Sequence, residues 1–303
     1  MKYVYVDGQH GTTGLEIKKM IEKHPYLKLL ELEYHLRHDA SKRKTLLNQC
    51  DIAILCLPDE GSREAVTFID NPDVVVIDTS TAHRTNEAWC YGLPELSAAQ
   101  EQAIKEAKRI ANPGCHATAA ILLLKPLLEA GVISKDTSLK MTSITGYSGG
   151  GKQMIAEFEG GETLPPRYYA MGLSHKHIPE MVHILALTKK PIFMPVVGAY
   201  KRGIVLTIPF EKSEFSKDVS FESLISCYQA YYKNSQFAYI HPEPLSVLET
   251  ETIDYGNRFE INVSGNDEQF LLTIKLDNLG KGAGGAAIQS INVINGWEPD
   301  LGI

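Results

Sequence analysis

The stretch Tyr3-Val4-Tyr5-Val6-Asp7-Gly8-Gln9-His10-Gly11-Thr12-Thr13-Gly14-Leu15-Glu16-Ile17 carries the reading of the fold. Residues 3–6 are rich in β-branched and aromatic side chains, as a strand requires. Gly8, Gly11 and Gly14 follow in the spacing G-x-x-G-x-x-G, with Thr12 and Thr13 between the last two. Leu15, Ile17, Met20 and Ile21 then recur at helical spacing, which predicts a helix over 15–23. Strand, glycine loop and helix in that order make a variant of the dinucleotide fingerprint. Its glycines let the backbone approach a pyrophosphate, and the helix N-terminus supplies N–H donors. A plain glycine-rich strand-to-helix turn is the competing reading. The position of the loop at the head of a βαβ series favours the dinucleotide.

Working outward, the apolar runs at 27–32, 51–57 and 74–78 predict three more strands, and 62–68 predicts a helix. The run at 51–57 is almost continuously apolar, as in a strand buried on both faces. These βαβ units predict a doubly wound parallel sheet of Rossmann type. Beyond residue 115 the texture changes. Strands are predicted at 139–145, 203–210, 258–263 and 270–276, and helices at 118–130, 220–233 and, rich in small residues, 282–295. The fold class expected is therefore α/β, with a second, α+β domain built on a mixed sheet. A chain of 303 residues is long for one core, which agrees with two domains.

Residues near the end of the second predicted strand bear on the nucleotide. Glu31 and Glu33 could accept from a ribose hydroxyl, whereas His35-Leu36-Arg37-His38 forms a basic cluster. A cation there suits the 2′-phosphate of NADP, and Arg37 is the residue selected, against the alternative of a solvated basic loop. The net charge of −7 gives no electrostatic reason to expect nucleic acid or an anionic membrane as partner. No apolar run approaches the ~20 residues that span a bilayer, and residues 1–8 lack the apolar core of a signal peptide. Five cysteines without CxxC or CxxH spacing point to reduced thiols in the cytoplasm, with neither a disulfide framework nor a metal site.

One of those thiols stands out. Asn112-Pro113-Gly114-Cys115-His116-Ala117-Thr118 places Cys115 where a loop enters a buried, Leu- and Ala-rich helix. Unpaired N–H groups and the positive end of the helix dipole favour thiolate there, which is what a nucleophilic cysteine needs. A small cysteine packed behind a turn is the plainer reading. Downstream, Ser174-His175-Lys176-His177-Ile178-Pro179-Glu180 carries two histidines that an extended segment would point to one face. Either could act as general acid or base. Spacing alone also admits a metal pair, but no third ligand at a telling distance supports it. Arg84, after the 74–78 strand, could bind phosphate or carboxylate through its planar fork or simply face solvent. The Gly146-Tyr147-Ser148-Gly149-Gly150-Gly151-Lys152 turn could face a cofactor or an oxyanion, or be only a flexible turn.

Taken together, the 8–14 loop, Leu57-Pro58-Asp59-Glu60-Gly61-Ser62, residues 78–84, Tyr91-Gly92-Leu93-Pro94-Glu95-Leu96, Asn112-Pro113-Gly114-Cys115, Gly146-Tyr147-Ser148-Gly149, His175-Lys176-His177-Ile178-Pro179-Glu180 and Asn278-Leu279-Gly280-Lys281-Gly282-Ala283-Gly284-Gly285 resemble the N-acetyl-γ-glutamyl-phosphate reductase family, in its compact form. That family is related in fold to aspartate-semialdehyde dehydrogenase. Thr79 and His83 stand where the longer form has Leu and Phe, and Gly150-Gly151-Lys152 replaces an Ala-Gly-Arg-like continuation. The resemblance implies an NADP-binding domain over 1–114, to which a C-terminal helix within 282–303 returns, and a catalytic and oligomerisation domain over 115–281. It implies NADPH-dependent reduction of a small-molecule acyl phosphate to an aldehyde in arginine biosynthesis, through a thioester, by a homo-oligomer. Cys115 falls on the nucleophile. His177 is taken as acid/base with His175 on the substrate, the reverse assignment remaining open. Arg84, Asn112 and Ser148 are expected on the substrate, and Gly8, Gly11, Thr12, Thr13, Gly14, Arg37 and Gly149 on the cofactor. The alternatives are an aspartyl-phosphate or carrier-bound acyl-phosphate reductase on the same fold, and a silent NADP-binding regulator.

Overall fold

The computed structural model describes residues 1–161, 164–251 and 256–303. In chain order the elements are β1 (Lys2–Asp7), α1 (Thr12–Lys23), β2 (Leu27–Leu30), α2 (Ala40–Gln49), β3 (Ile52–Leu55), α3 (Asp59–Thr67), β4 (Val75–Asp78), β5 (Cys90–Tyr91), α4 (Ala98–Glu106), β6 (Arg109–Ala111), α5 (Cys115–Glu129), β7 (Lys140–Gly146), α6 (Gly151–Glu159), β8 (Arg167–Tyr168), α7 (Ile178–Leu185), β9 (Ile192–Gly198), β10 (Ile204–Glu211), α8 (Phe221–Tyr231), β11 (Ala238–Ile240), β12 (Phe259–Gly265), β13 (Gln269–Leu276) and α9 (Gly285–Asn295). They form two compact units, Met1–Gly114 with Ala283–Ile303, and Cys115–Gly282.

The first unit is built on a six-stranded sheet, order β2-β1-β3-β4-β6-β5, with every pairing parallel. Side chains alternate across its strands, so one face carries Val4, Val6, Ile52, Ile54, Val75, Ile77 and Ile110. Ile17 and Ile21 of α1, Ile104 of α4 and Ala287, Ile288 and Ile291 of α9 pack on that face. The opposite face, with Tyr5, Ala53, Leu55 and Val76, is covered by Leu47 of α2 and Ala65 of α3. Both faces are buried, which is why β3 and β4 read as unbroken apolar runs. Strands β2, β3 and β4 are each shorter than the predicted run by one to three residues, because ladder pairing rather than hydrophobicity bounds them. The carboxyl ends of β1 and β4 carry the loops where ligands bind in open α/β sheets.

The second unit is built on a seven-stranded mixed sheet, order β11-β12-β13-β10-β7-β9-β8. Helix α5 packs on β10 and β13 and against α7 and α8. Strand β9 lies outside the runs that the sequence marks, because Pro195 in its middle argues against a strand. It nevertheless pairs along its whole length with β7. Among the described residues, no helix is long and apolar enough to cross a membrane.

Candidate active site

The glycine loop joins β1 to α1. Gly8 has φ +89°, and a Cβ there would lie 2.2 Å from the Cys56 carbonyl oxygen. At Gly14 a Cβ would meet the Gly8 carbonyl at 2.5 Å and the Gln9 Cα at 2.8 Å. These two glycines are demanded by the fold itself. Gly11 is different, since the nearest neighbour of a Cβ there would be the Gly8 carbonyl at 3.4 Å, so that side of it is open. The helix starts at Thr12, earlier than its apolar periodicity indicates, so Thr12, Thr13 and Gly14 form its first turn. The apolar signal begins only with Leu15, whereas the close packing of Gly14 on Gly8 sets the start. Gly11, the N-cap, brings no side-chain hydrogen bond, and the buried Thr12 hydroxyl has no partner among the described residues. An uncapped helix N-terminus, an orphaned hydroxyl and a glycine with room above it fit a pyrophosphate.

Arg37 belongs to the same neighbourhood. Its guanidinium carbon lies 4.0 Å from the centre of the Tyr34 ring, and Nη1 donates to the Tyr34 carbonyl at 2.9 Å. Tyr34 in turn meets His10 of the glycine loop edge-on, centroids 4.8 Å apart. The acidic candidates are already engaged: Glu31 with Lys18, and Glu33 with His35 at 3.3 Å. The buried end of β1 is held by Asp7, which accepts from Arg43 of α2 at 3.0 Å.

The loop after β4 is organised by Asp78. Fully buried, it accepts from Ser62 Oγ at 2.8 Å and Ser80 Oγ at 2.7 Å and lies 2.6 Å from His83 Nδ1. His83 stacks on Trp89, centroids 4.0 Å apart. Arg84 is not solvent-facing. It is 8% exposed, and its fork donates to the Asn112 carbonyl at 2.9 Å and the Thr79 carbonyl at 2.8 Å. It braces the segment that leads to Cys115. Asn112 donates to the Ala283 carbonyl at 3.0 Å, while its buried Oδ1 has no partner among the described residues.

The second unit holds the thiol. Cys115 is the first residue of α5 and is partly exposed, whereas residues 116–124 are buried without a break. The sulfur therefore sits at the N-terminal end of a largely buried helix, against the positive pole of its dipole. Burial pushes the other four thiols up, Cys50 and Cys56 to about 12 and Cys90 and Cys227 less far, which leaves them protonated. Gly282, in the turn Gly280–Gly284, packs closely on Cys115, since a Cβ there would lie 2.6 Å from the Cys115 Cβ.

His175 and His177 are both buried, with ring centroids 4.7 Å apart. They do not lie on an extended segment. His175 Nδ1 accepts from the His177 N–H at 3.1 Å, and His177, with φ −89° and ψ −8°, caps α7. Pro179 at the start of that helix forces the turn. His116 completes the cluster, centroids 5.2 Å from His175 and 5.6 Å from His177. Sequence reasoning passed over it, because a histidine one residue after a candidate nucleophile carries no spacing signal. Ser148 is buried and accepts from Asn278 Nδ2 at 3.0 Å. Gly149 is exposed, with only ordinary contacts to Thr145 and Asn278 waiting for a Cβ. Among the described residues no group of three His, Cys, Asp or Glu side chains is placed to hold a metal ion.

A nucleotide-type glycine loop in one unit and, in the other, a helix-start cysteine followed by a histidine that packs on two more define a dehydrogenase of the semialdehyde dehydrogenase class. Residues 33–107 match the semialdehyde dehydrogenase NAD-binding domain and 115–278 its dimerisation domain, so the first unit is an NAD(P)-binding domain. The fold is that of aspartate semialdehyde dehydrogenase II complexed with ASA from Vibrio cholerae, at TM-score 0.70 and 16% identity over 97% of this chain and 98% of that one. Aspartate semialdehyde dehydrogenase with NADP from Candida albicans matches at TM-score 0.71 and 15% identity, over the same shares.

Curated relatives are much nearer in sequence. An N-acetyl-γ-glutamyl-phosphate reductase of Burkholderia cenocepacia (strain HI2424) is 42% identical over 97% of both chains. N-acetyl-γ-glutamyl-phosphate reductase 2 of Pseudomonas putida (strain KT2440) is 41% identical over 97% of this chain and 96% of its own. The chain belongs to the N-acetyl-γ-glutamyl-phosphate reductase family.

Proposed function

We propose that this chain reduces N-acetyl-γ-glutamyl phosphate to N-acetylglutamate semialdehyde and phosphate with NADPH, in arginine biosynthesis. The observation that carries the reading is the partly exposed Cys115 at the start of a buried helix, among four cysteines whose burial keeps them protonated, in a chain 42% identical to a reductase of that name. The Cys115 thiolate attacks the acyl carbon. The carbon–oxygen bond to phosphate breaks, and a thioester on Sγ remains. The dinucleotide, when bound, supplies the hydride that brings the thioester to the aldehyde level. His177, with His175 on the substrate, lends a proton to the oxygen of the resulting adduct. It takes that proton back as the carbonyl re-forms and Sγ leaves.

Gly8, Gly11, Thr12, Thr13 and Gly14 would hold the pyrophosphate, Arg37 the 2′-phosphate, and Gly149 the nicotinamide end. Asn112, through its orphaned Oδ1, and Ser148 are assigned to the acyl substrate. Arg84 serves the same site by fixing the backbone before Cys115. The five free thiols support a reducing compartment, and we place the reaction in the cytoplasm. The match to a dimerisation domain supports a homo-oligomer. So does the open face of the mixed sheet, where strand register sets the exposed Tyr168, Ile192, Met194 and Leu271 on one side.

The test is the reverse reaction. Purified protein receives N-acetylglutamate semialdehyde, phosphate and NADP, with aspartate semialdehyde as the control substrate. Phosphate-dependent reduction of NADP with the acetylated substrate alone, abolished in Cys115→Ser, is the expected result. Activity with aspartate semialdehyde instead would overturn the substrate, and activity in Cys115→Ser the mechanism.

A further inference from the structure

His116, adjacent to the nucleophile, is 2% exposed, and both of its ring nitrogens are occupied. Nδ1 lies 2.9 Å from Ser143 Oγ of β7, itself fully buried, and Nε2 lies 2.7 Å from the Tyr169 hydroxyl. Phe193 closes the remaining side, centroids 5.1 Å away. Burial, with smaller contributions from the charges of His175 and Lys176, holds the imidazole well below its ordinary range. At neutral pH the ring therefore has one N–H and one lone pair, both spent inside the protein. Nothing is left for proton exchange with a substrate.

Tyr169 stands on the other side of this ring, within electrostatic reach of Cys115. Burial first, and then the Cys115 charge, push its hydroxyl up, so it keeps its proton and has it to donate. Its ring meets that of His175 edge-on, centroids 5.7 Å apart. The chain between the two is folded back through Ala170 at φ +52° and Leu173 at φ +55°, left-handed conformations that residues other than glycine adopt at a cost of about 1–2 kcal/mol each. A backbone bent at that cost to bring Tyr169 against the histidines is the sign of a built constellation. If Ser143 donates to Nδ1, Nε2–H donates to the Tyr169 oxygen and the tyrosine proton is turned outward. This is the tautomer that gives both hydroxyls a use.

We propose that Tyr169 is a further catalytic residue, its hydroxyl donating a hydrogen bond to the oxyanion of the Cys115 adduct, and that His116 is the positioning residue that aims it. The proposal rests on the reading of Cys115 as nucleophile but not on the identity of the acyl phosphate. It is tested with p-nitrophenyl acetate, whose attack by Cys115 raises an oxyanion without coenzyme or natural substrate. Iodoacetamide, which raises none, reports the thiolate alone. Tyr169→Phe should slow acylation about tenfold to a hundredfold, as loss of an oxyanion donor does, with alkylation across pH 6–9 within twofold of wild type. His116→Gln should do the same, and the double variant should be no slower than Tyr169→Phe alone, because His116 acts through that hydroxyl.

Unchanged acylation in Tyr169→Phe, equal loss of acylation and alkylation, or multiplying effects in the double variant would each overturn the proposal. Tyr169→Phe removes one oxygen from a partly exposed ring, so its result decides even if His116→Gln folds poorly. A wild-type protein that is acylated at Cys115 but does not reduce N-acetyl-γ-glutamyl phosphate would overturn the substrate assignment and leave this donor standing.

Discussion

Gly282→Ala isolates the placement of the Cys115 thiol from everything else in the fold. Gly282 does not occupy the left-handed region, so alanine brings no backbone strain there. What it brings is a methyl carbon 2.6 Å from the Cys115 Cβ and 3.1 Å from its Cα. Ordinary contact begins at 3.4 Å, so Cys115 or the Gly280–Gly284 turn must give way by about 0.8 Å. Overpacking of this kind costs about 1–3 kcal/mol of stability. A misplacement of about 1 Å in a reacting group costs on the order of 10²-fold in rate. The expected result is a kcat reduced by a factor of about 30–100 with a folded protein, read as phosphate-dependent NADP reduction beside a thermal melt. Gly131→Ala is the matched control. Gly131 has φ +62° and nothing within 4 Å, so alanine there should cost about 1–2 kcal/mol of stability and leave kcat unchanged. A Gly282→Ala enzyme with kcat within twofold of wild type would refute the steric argument.

The glycine loop yields a second contrast. Gly8→Ala, at φ +89° and 2.2 Å from a carbonyl oxygen, should lose at least ~2 kcal/mol in a denaturant titration, whereas Gly11→Ala should melt near wild type. By calorimetry Gly11→Ala should bind NADPH at least tenfold more weakly; unchanged affinity would count against the loop as the pyrophosphate site. Arg37→Glu should weaken NADPH by about tenfold or more while sparing NADH, and equal losses for both would detach Arg37 from the 2′-phosphate. Acid should destabilise the fold through His116. Its folded pKa lies below the unfolded value of about 6.5, so its contribution is complete above pH 6.5. Below that the contribution falls by up to about 1.4 kcal/mol per pH unit until the folded pKa is reached. His24, also lowered chiefly by burial, acts in the same direction. Urea midpoints at pH 7.5, 6.0 and 5.0 should therefore fall more gently in His116→Gln than in wild type, and parallel curves would sink the assignment.

Much of this was legible along the chain because it depends on neighbours in sequence. The runs that became β3 and β4 are apolar because both faces of the parallel sheet are covered. The glycine spacing announces the turn after β1, and Pro113-Gly114 announces a loop entering a helix near Cys115, although the apolar signal marks that helix only from residue 118 and it begins at Cys115. Boundaries were less legible. Helix α1 begins at Thr12, because the contact of Gly14 with the Gly8 backbone sets its first turn, whereas an apolar stripe can only register from Leu15. Strand β9 was hidden by Pro195.

The chemistry around the thiol divides in the same way. That Cys115 opens a buried helix, and that two histidines stand close together downstream, is written in short motifs whose backbone preferences are local. That His116 reaches Ser143 across 27 residues and Tyr169 across 53, and that Gly282 closes on Cys115, were decided by tertiary structure alone. The physical reason is range. Propensity and periodicity act over a few residues, whereas the direction of a buried side chain is set by the register of the strands and the seating of α5 on β10 and β13. Those are fixed only when contacts distant in sequence form together.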